Sequence, residues 1–281
     1  MEPFVMNDRK DRDPALFMLE PWTIFDKVSV GFTGRHGGTS KVPYESLNCA
    51  FHVGDETIDV INNRKSVVET IGFANHAWTC GEQVHSNHVE IVHLEDKGRG
   101  SVDRSSAFQN TDGLLTNVPG ILLTSFYADC VPLYFYDPQK QVVGLAHAGW
   151  KGTVSKIASI MVDKMVQEYG SSVHDIRAAI APSIGPCCYE VDDKVMLVVY
   201  DLEEDIMGNN KRPSSWYLNK NDGKSMLNLK EINRQIMMKA GILPTHIECT
   251  TYCTSCRNDL FFSYRKDGGT TGRMASWIGI K

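Results

Sequence analysis

Asp129-Cys130-Val131-Pro132-Leu133-Tyr134-Phe135-Tyr136-Asp137-Pro138-Gln139-Lys140-Gln141-Val142-Val143-Gly144-Leu145-Ala146-His147 reads as two apolar strands folded back at Asp137-Pro138-Gln139-Lys140. Pro presets φ at the first central position of a turn, and aromatic or β-branched runs flank it on both sides. With Asp137 facing Lys140, Cys130 falls opposite His147. Directly opposed side chains begin about 5 Å apart at Cβ, close enough to share one ion. Pro132 cannot donate to a ladder, so a bulge or an edge position would shift this count by one. A metal site at the end of the hairpin is the expectation.

A third ligand is needed to make that expectation specific. His85, in Glu82-Gln83-Val84-His85-Ser86-Asn87-His88, stands at the end of another predicted strand. Three protein ligands leave the fourth position of a tetrahedral zinc open, as in catalytic sites, and a water bound there approaches a pKa of ~7. The donor set suits zinc and also copper. His88 and His93 are rivals to His85, although His93 sits inside an apolar strand pattern and reads as a packed histidine. Taken alone, Cys130 fits equally well as a small buried core residue. Asp129 neighbours Cys130, so in an extended strand its side chain points to the opposite face. A bend would make it a general base at the site, and otherwise it fixes a histidine tautomer. Both roles stay open.

Around the hairpin the chain alternates sparsely. Strands are expected at 28–33, 77–84, 89–94, 113–116, 121–128, 176–181, 247–252, 260–264 and 275–280. Helices are expected at 55–73, capped by Asp55 or Thr57, at 152–169, at 189–201 and at 227–240. Helices come between strands only occasionally, which argues for a mixed sheet or two packed sheets with outer helices rather than a βαβ repeat. No linker or repeat divides the chain. Residues 1–22 read as an N-terminal tail, polar and frayed at its start, and 23–281 as a single domain.

The bulk properties limit the function classes. The 281 residues are 42% hydrophobic and 22% charged, enough for a full core, and the net charge of −5 argues against nucleic acid or an anionic membrane surface as partner. No apolar run approaches the ~20 residues that span a bilayer, and no secretory h-region is evident, so a cytoplasmic location is expected. In a reducing compartment the eight cysteines are thiols or ligands.

Further stretches suggest binding. Gly149 and Gly152 break the strand after His147, and a helix opens there beside Lys151, a place for an anion such as phosphate if it is more than a tight turn. Arg35-His36-Gly37-Gly38-Thr39-Ser40 is a second possible anion cradle. Arg64, within the helix at 55–73, is a solvated residue unless it reaches that cradle. Cys249-x3-Cys253-x2-Cys256 has spacing used for a [4Fe–4S] cluster, and Cys253-x2-Cys256 is half of a structural zinc site. Against the zinc, no matching Cys-x2-Cys or His pair occurs elsewhere, and Cys187-Cys188 beside Pro186 reads as a turn.

Taken together, the chain resembles the YfiH/YlmD family from about residue 23 onward. The likeness rests on Arg35-His36-Gly37-Gly38-Thr39-Ser40, Ser46-Leu47-Asn48, Asn63-Arg64, Gln83-Val84-His85, Thr111-Asp112-Gly113, Ala128-Asp129-Cys130 and His147-Ala148-Gly149-Trp150-Lys151-Gly152. It continues through Ile184-Gly185-Pro186, Tyr189-Glu190-Val191, Phe262-Ser263-Tyr264-Arg265-Lys266-Asp267-Gly268 and Thr271-Gly272-Arg273. The family was long labelled multicopper polyphenol oxidase (laccase-like) and is now regarded as purine nucleoside phosphorylases with adenosine deaminase activity. The resemblance implies a four-layer α/β/β/α sandwich with mixed sheets, similar to cysteine hydrolases of the cytotoxic-necrotizing-factor type. It implies zinc on His85, Cys130 and His147, with copper the alternative. It also implies phosphorolysis of adenosine, inosine, guanosine and methylthioadenosine with phosphate as co-substrate, together with deamination of adenosine.

With that resemblance, Asp129 becomes the catalytic proton carrier, and Ser40, Asn48, Arg64, Gln83, Lys151 and Arg265 become the expected substrate or phosphate contacts. Cys187, Cys188, Cys249, Cys253 and Cys256 lie outside the family pattern. Multicopper oxidases depend on His-x-His pairs, and none of the nine histidines forms one. A phenol oxidase and a zinc that merely staples strands are the competing readings. The partners expected are purine nucleosides and phosphate, and the chain is expected to be a monomer.

Overall fold

The hairpin forms the centre of the molecule. In a computed structural model, which describes residues 1–7, 13–208, 215–220 and 222–281, Val131–Asp137 pairs antiparallel with Val142–Ala148. Every residue of both strands is buried, so both faces of the hairpin are covered. Alternation then divides the side chains between two cores. Leu133, Phe135, Val142 and Ala146 pack with helices, whereas Tyr134, Tyr136, Val143 and Leu145 pack with a second sheet.

The register is not the expected one. Pro132, rather than Cys130, lies opposite His147, because Asp137 faces Val142 and the loop spans residues 138–141. Asp137 Oδ1 accepts the backbone N–H groups of Gln139 and Lys140 at 2.8 and 3.0 Å, and Gln141 turns back with φ of 54°. A slip of two residues leaves each side chain on its original face. His147 therefore keeps the inter-sheet face, and Cys130, one residue before the strand, packs against that same core. The Pro132 carbonyl accepts the Ala181 N–H at 3.1 Å just past the pair Leu133 and Ile180, so its missing N–H leaves only the last reciprocal bond of that ladder unmade.

Two six-stranded mixed sheets carry the fold. One runs Ile247–Cys249, Arg177–Ile180, Val131–Asp137, Val142–Ala148, Gly113–Thr116, Val89–Ile91, antiparallel at its centre and parallel at both ends. The other runs Phe4–Met6, Leu16–Leu19, Val28–Thr33, Met274–Ile280, Leu122–Tyr127, Trp78–Cys80. Phe32, Tyr127, Phe261 and Ile278 meet Tyr134 and Leu145 between them, and Tyr134 Oη donates to the Gly31 carbonyl at 2.7 Å. Thr57–Ile71 packs Val67 and Val68 with Trp78 and Trp277, while Ile157–Tyr169 and Leu229–Lys239 pack Met161, Met165, Ile232 and Ile236 against Leu133 and Phe135. No helix among the described residues is long and apolar enough to cross a membrane.

Several expectations change. Phe4–Met6 and Leu16–Leu19 are sheet strands with Phe4 fully buried, so residues 1–22 are not a tail; residues 8–12 lie outside the described residues. The helix expected at 152–169 is two, Trp150–Val154 and Ile157–Tyr169, divided where Lys156 adopts φ of 57°. Residues 189–201 begin with the short strand Glu190–Val191, and the helix Asp193–Met207 starts only where Asp192 caps Val195 N–H. Residues 227–240 likewise divide into the strand Ser225–Leu227 and the helix Leu229–Lys239. Residues 260–264 are irregular, with turns at both ends, rather than a strand. Phe261 and Phe262 are both buried there, so the apolar run marked burial and not extension.

Candidate metal centre and binding cavity

The site lies where the inter-sheet core opens at the His147 end of the hairpin. His85, Cys130 and His147 bring their ligand atoms within 4.8 Å of one another. Cys130 Sγ stands 3.7 Å from His85 Nε2, and the two imidazoles meet edge to face at 4.7 Å between centroids. His147 is buried and His85 exposed, so the trio spans from the core to the cavity. Two histidines and one cysteine converging on an open space fit a zinc ion with a free coordination position.

Asp112 builds this geometry. Its Oδ1 bonds His147 Nδ1 at 2.8 Å, which leaves Nε2 for a metal. The same carboxylate accepts the N–H groups of Val84, His85 and Ser86 and the Ser86 hydroxyl, at 2.8–3.2 Å. This holds His85 in its turn at φ of 62°. Burial opposes the Asp112 charge, yet the His147 and Ser86 hydrogen bonds hold its carboxyl below the usual range. Sequence reading quoted Asp112 only within Thr111-Asp112-Gly113 and gave it no role. The role follows from the pairing: Gly113 lies opposite Ala146, which puts Asp112 beside His147.

Cys130 and His147 shift each other. Burial pushes the Cys130 thiol up, but the two histidines overcome it and bring the thiol down to about 6. Burial pushes His147 down, but Cys130 and Asp112 raise it to about 9. Near neutrality the metal-free pair is thus thiolate and imidazolium. Metal binding requires both the thiolate and a neutral His147, so affinity falls as pH drops below about 9 and more steeply below about 6. In metal-free protein the alkylation rate of Cys130, followed by peptide mass spectrometry, should rise with pH around a midpoint near 6. A midpoint in the ordinary thiol range, ~8.5, would contradict the pairing.

A cavity of about 450 Å³ opens beside the trio, within the ~300–1,000 Å³ typical of small-molecule sites. Asp129 lines it with φ of 96°, the bend that turns its carboxylate away from a regular strand. Asp129 Oδ1 accepts from Thr254 Oγ1 and Oδ2 from Arg265 N, both at 2.7 Å. It therefore fixes no histidine; Asp112 does. Gln83 also lines the cavity, its amide paired with the Phe126 backbone at 2.8 and 3.0 Å. Arg265 lies over Tyr189, with Nη1 on the Glu190 carbonyl.

The other expected contacts are elsewhere. Arg64 is buried, donating to the carbonyls of Cys49, Gly100 and Ser101 beneath the rings of Phe51 and Phe126. It is neither solvated nor part of the wall of the cavity of about 450 Å³. Ser40 Oγ accepts from Asn63 Nδ2, and Asn63 Oδ1 accepts Thr39 N–H, so a side chain fills the glycine-rich loop where an anion was expected. Asn48 is buried, bonding Asp55, Ala50 and the Arg273 backbone. Lys151 is exposed, over Trp150 and outside the cavity wall.

Arg273 and His52 also line the cavity, and sequence reading assigned neither a role. Arg273 lies over Tyr264 and donates from Nη1 to Thr271 and Gly272 carbonyls. His52 is pushed down to about 4 by burial and by Arg273, so it is neutral near pH 7.

The model of the multi-copper polyphenol oxidoreductase laccase family matches residues 29–281. The chain is 40% identical over 274 residues to purine nucleoside phosphorylase YlmD of Bacillus subtilis, covering 95% of each. It is 44% identical over 255 residues to purine nucleoside phosphorylase YlmD of Geobacillus stearothermophilus, covering 91% of each. The crystal structure of YlmD from Geobacillus stearothermophilus superposes with a TM-score of 0.91 at 40% identity over the whole of both chains.

Proposed function

The chain belongs to the multi-copper polyphenol oxidoreductase laccase family, and from that premise we propose that it is a zinc-dependent purine nucleoside phosphorylase that also deaminates adenosine. Adenosine, inosine, guanosine and methylthioadenosine are the expected phosphorolysis substrates. The observation that carries this reading is one cavity combining the His85, Cys130 and His147 trio, the Asp129 carboxylate, two arginines and aromatic walls. The helix, sheet, sheet, helix sequence of cores supports reading the fold as a four-layer α/β/β/α sandwich. All the groups named come from one chain, so a monomer suffices.

His85, Cys130 and His147 would hold zinc, which when bound acts as a Lewis acid and lowers the pKa of water. Tyr189, Tyr264 and Phe126 offer flat faces for a purine. Arg265 and Arg273 replace Ser40, Arg64 and Lys151 as phosphate holders, since a guanidinium meets phosphate oxygens bidentately. In phosphorolysis, a phosphate oxygen so placed bonds to ribose C1′ as the C1′–N9 bond breaks. The electron pair of that bond leaves with the base, which takes up the proton of the phosphate. The products are base and ribose 1-phosphate, or its 5-methylthio analogue from methylthioadenosine. In deamination, Asp129 takes a proton from the water adding at C6 and passes it to the departing amino group.

Zinc-loaded protein incubated with inosine and phosphate without oxygen should release hypoxanthine and ribose 1-phosphate. Release no greater than that of Asp129→Ala or His85→Ala protein would overturn the assignment. A copper phenol oxidase, which the family's description favours, predicts oxygen consumption with phenols instead.

A further inference from the structure

A second group of sulfurs lies apart from the trio. Cys187 and Cys188, which read as a turn, face Cys253 and Cys256, and all four Sγ atoms lie within 4.8 Å of one another. Cys256 Sγ is 3.4 Å from both Cys187 Sγ and Cys188 Sγ, and the cysteines are free thiols. We propose that Cys187, Cys188, Cys253 and Cys256 form a tetrathiolate zinc site that is structural and separate from the nucleoside site.

Four observations carry the proposal. A tetrahedral zinc with Zn–S bonds of about 2.3 Å has sulfurs about 3.8 Å apart, close to the spacing seen here. The Gly185 N–H donates to Cys253 Sγ at 3.2 Å, the outer support that ligating sulfurs receive. A Cβ on Gly185 would stand 3.2 Å from Cys253 Cβ and 3.3 Å from Cys187 Sγ, so glycine is what allows the sulfurs to approach. The buried Lys230 side chain, held by the Tyr252 and Thr250 carbonyls, lies within electrostatic reach of Cys249, Cys253 and Cys187 and sets a basic group beside the cluster. Cys249 does not join, so the pair missing from the sequence motif is supplied by Cys187 and Cys188. Four cysteines close the coordination sphere, which makes the site structural.

Its placement gives it a task. The bridge from Ser183 to Cys253 and the bond from Thr254 N to the Ser183 carbonyl join the same two loops. Ile184, just before Cys187 in one loop, bonds the Asp129 carbonyl through its N–H, and Thr254, next to Cys253 in the other, bonds the Asp129 carboxylate. Zinc on the four sulfurs would clamp the loops that hold Asp129 in the cavity.

Metal content after gel filtration, read by mass spectrometry, tests this whether or not the phosphorylase reading stands. Wild type should carry two zinc ions per chain, and His85→Ala/His147→Ala should retain one. Cobalt in that variant should give the intense thiolate charge-transfer bands of a tetrathiolate, lost in His85→Ala/His147→Ala/Cys256→Ser. Cys187→Ser/Cys256→Ser should retain one zinc, at the trio. Should that variant not fold, the histidine variant decides alone. No zinc in the histidine variant, disulfides among the four cysteines, or iron with inorganic sulfide in place of zinc would each overturn the proposal.

Discussion

Zinc affinity of Gly149→Ala protein is expected to fall at least ~100-fold while the chain still folds. Gly149 precedes the helix Trp150–Val154 with φ of −66° and ψ of 177°, a conformation alanine adopts freely. The obstacle is space. A Cβ there would stand 2.8 Å from His85 Cδ2 and 3.1 Å from Cys130 Sγ. Neither ligand has room to yield without leaving the trio. His85 is held by Asp112 through its own backbone, and Cys130 abuts the hairpin. Metal sites tolerate ~0.2 Å, and an ångström of misplacement in an active site costs ~10²-fold in rate. Competition with a chromophoric chelator measures the affinity, and urea unfolding monitors the fold. Wild-type affinity would mean that the trio does not hold the metal.

Asp112→Asn is expected to lower zinc affinity by ~10–100-fold and stability by ~2–4 kcal/mol. The carboxylate accepts from Val84 N, Ser86 N and Ser86 Oγ on Oδ2, and from His85 N and His147 Nδ1 on Oδ1. An amide keeps one acceptor oxygen and presents N–H groups to the other donors. If the oxygen stays on His147, the turn carrying His85 loses its support; if it faces the turn, His147 loses its tautomer. Either way one ligand drifts. Asp112→Glu should not rescue the loss, since the longer side chain misplaces both oxygens. Full affinity in Asp112→Asn, measured with the same chelator, would show that Asp112 does not position the trio.

Much of the trio was legible because its evidence is local. Cys130 and His147 flank a hairpin, and hairpins pair residues by counting. The count was two residues off, yet the faces survived, because side-chain direction in a strand repeats every two residues. The periodicity between Asp55 and Phe73 likewise marked Thr57–Ile71 closely, although the N-cap is Glu56 rather than Asp55 or Thr57. Arg64 was misread for the opposite reason. Its partners are backbone carbonyls of residues 49, 100 and 101, and no pattern in the chain states that a guanidinium will be buried beneath Phe51 and Phe126.

Residue types and spacing alone pointed to a mixed α/β chain with a hairpin at its centre, and named His85, Cys130 and His147 as candidate ligands. These follow from period-two alternation and turn chemistry, which act over a few residues. Only the tertiary structure decided that Asp112 orients His147, that Arg273 and His52 border the cavity, and that Cys187-Cys188 meets Cys253 and Cys256. Each of those meetings joins segments tens of residues apart in the chain. Strand order and the packing of one sheet on the other set such contacts, and the free energy that selects them belongs to the whole core rather than to any local stretch.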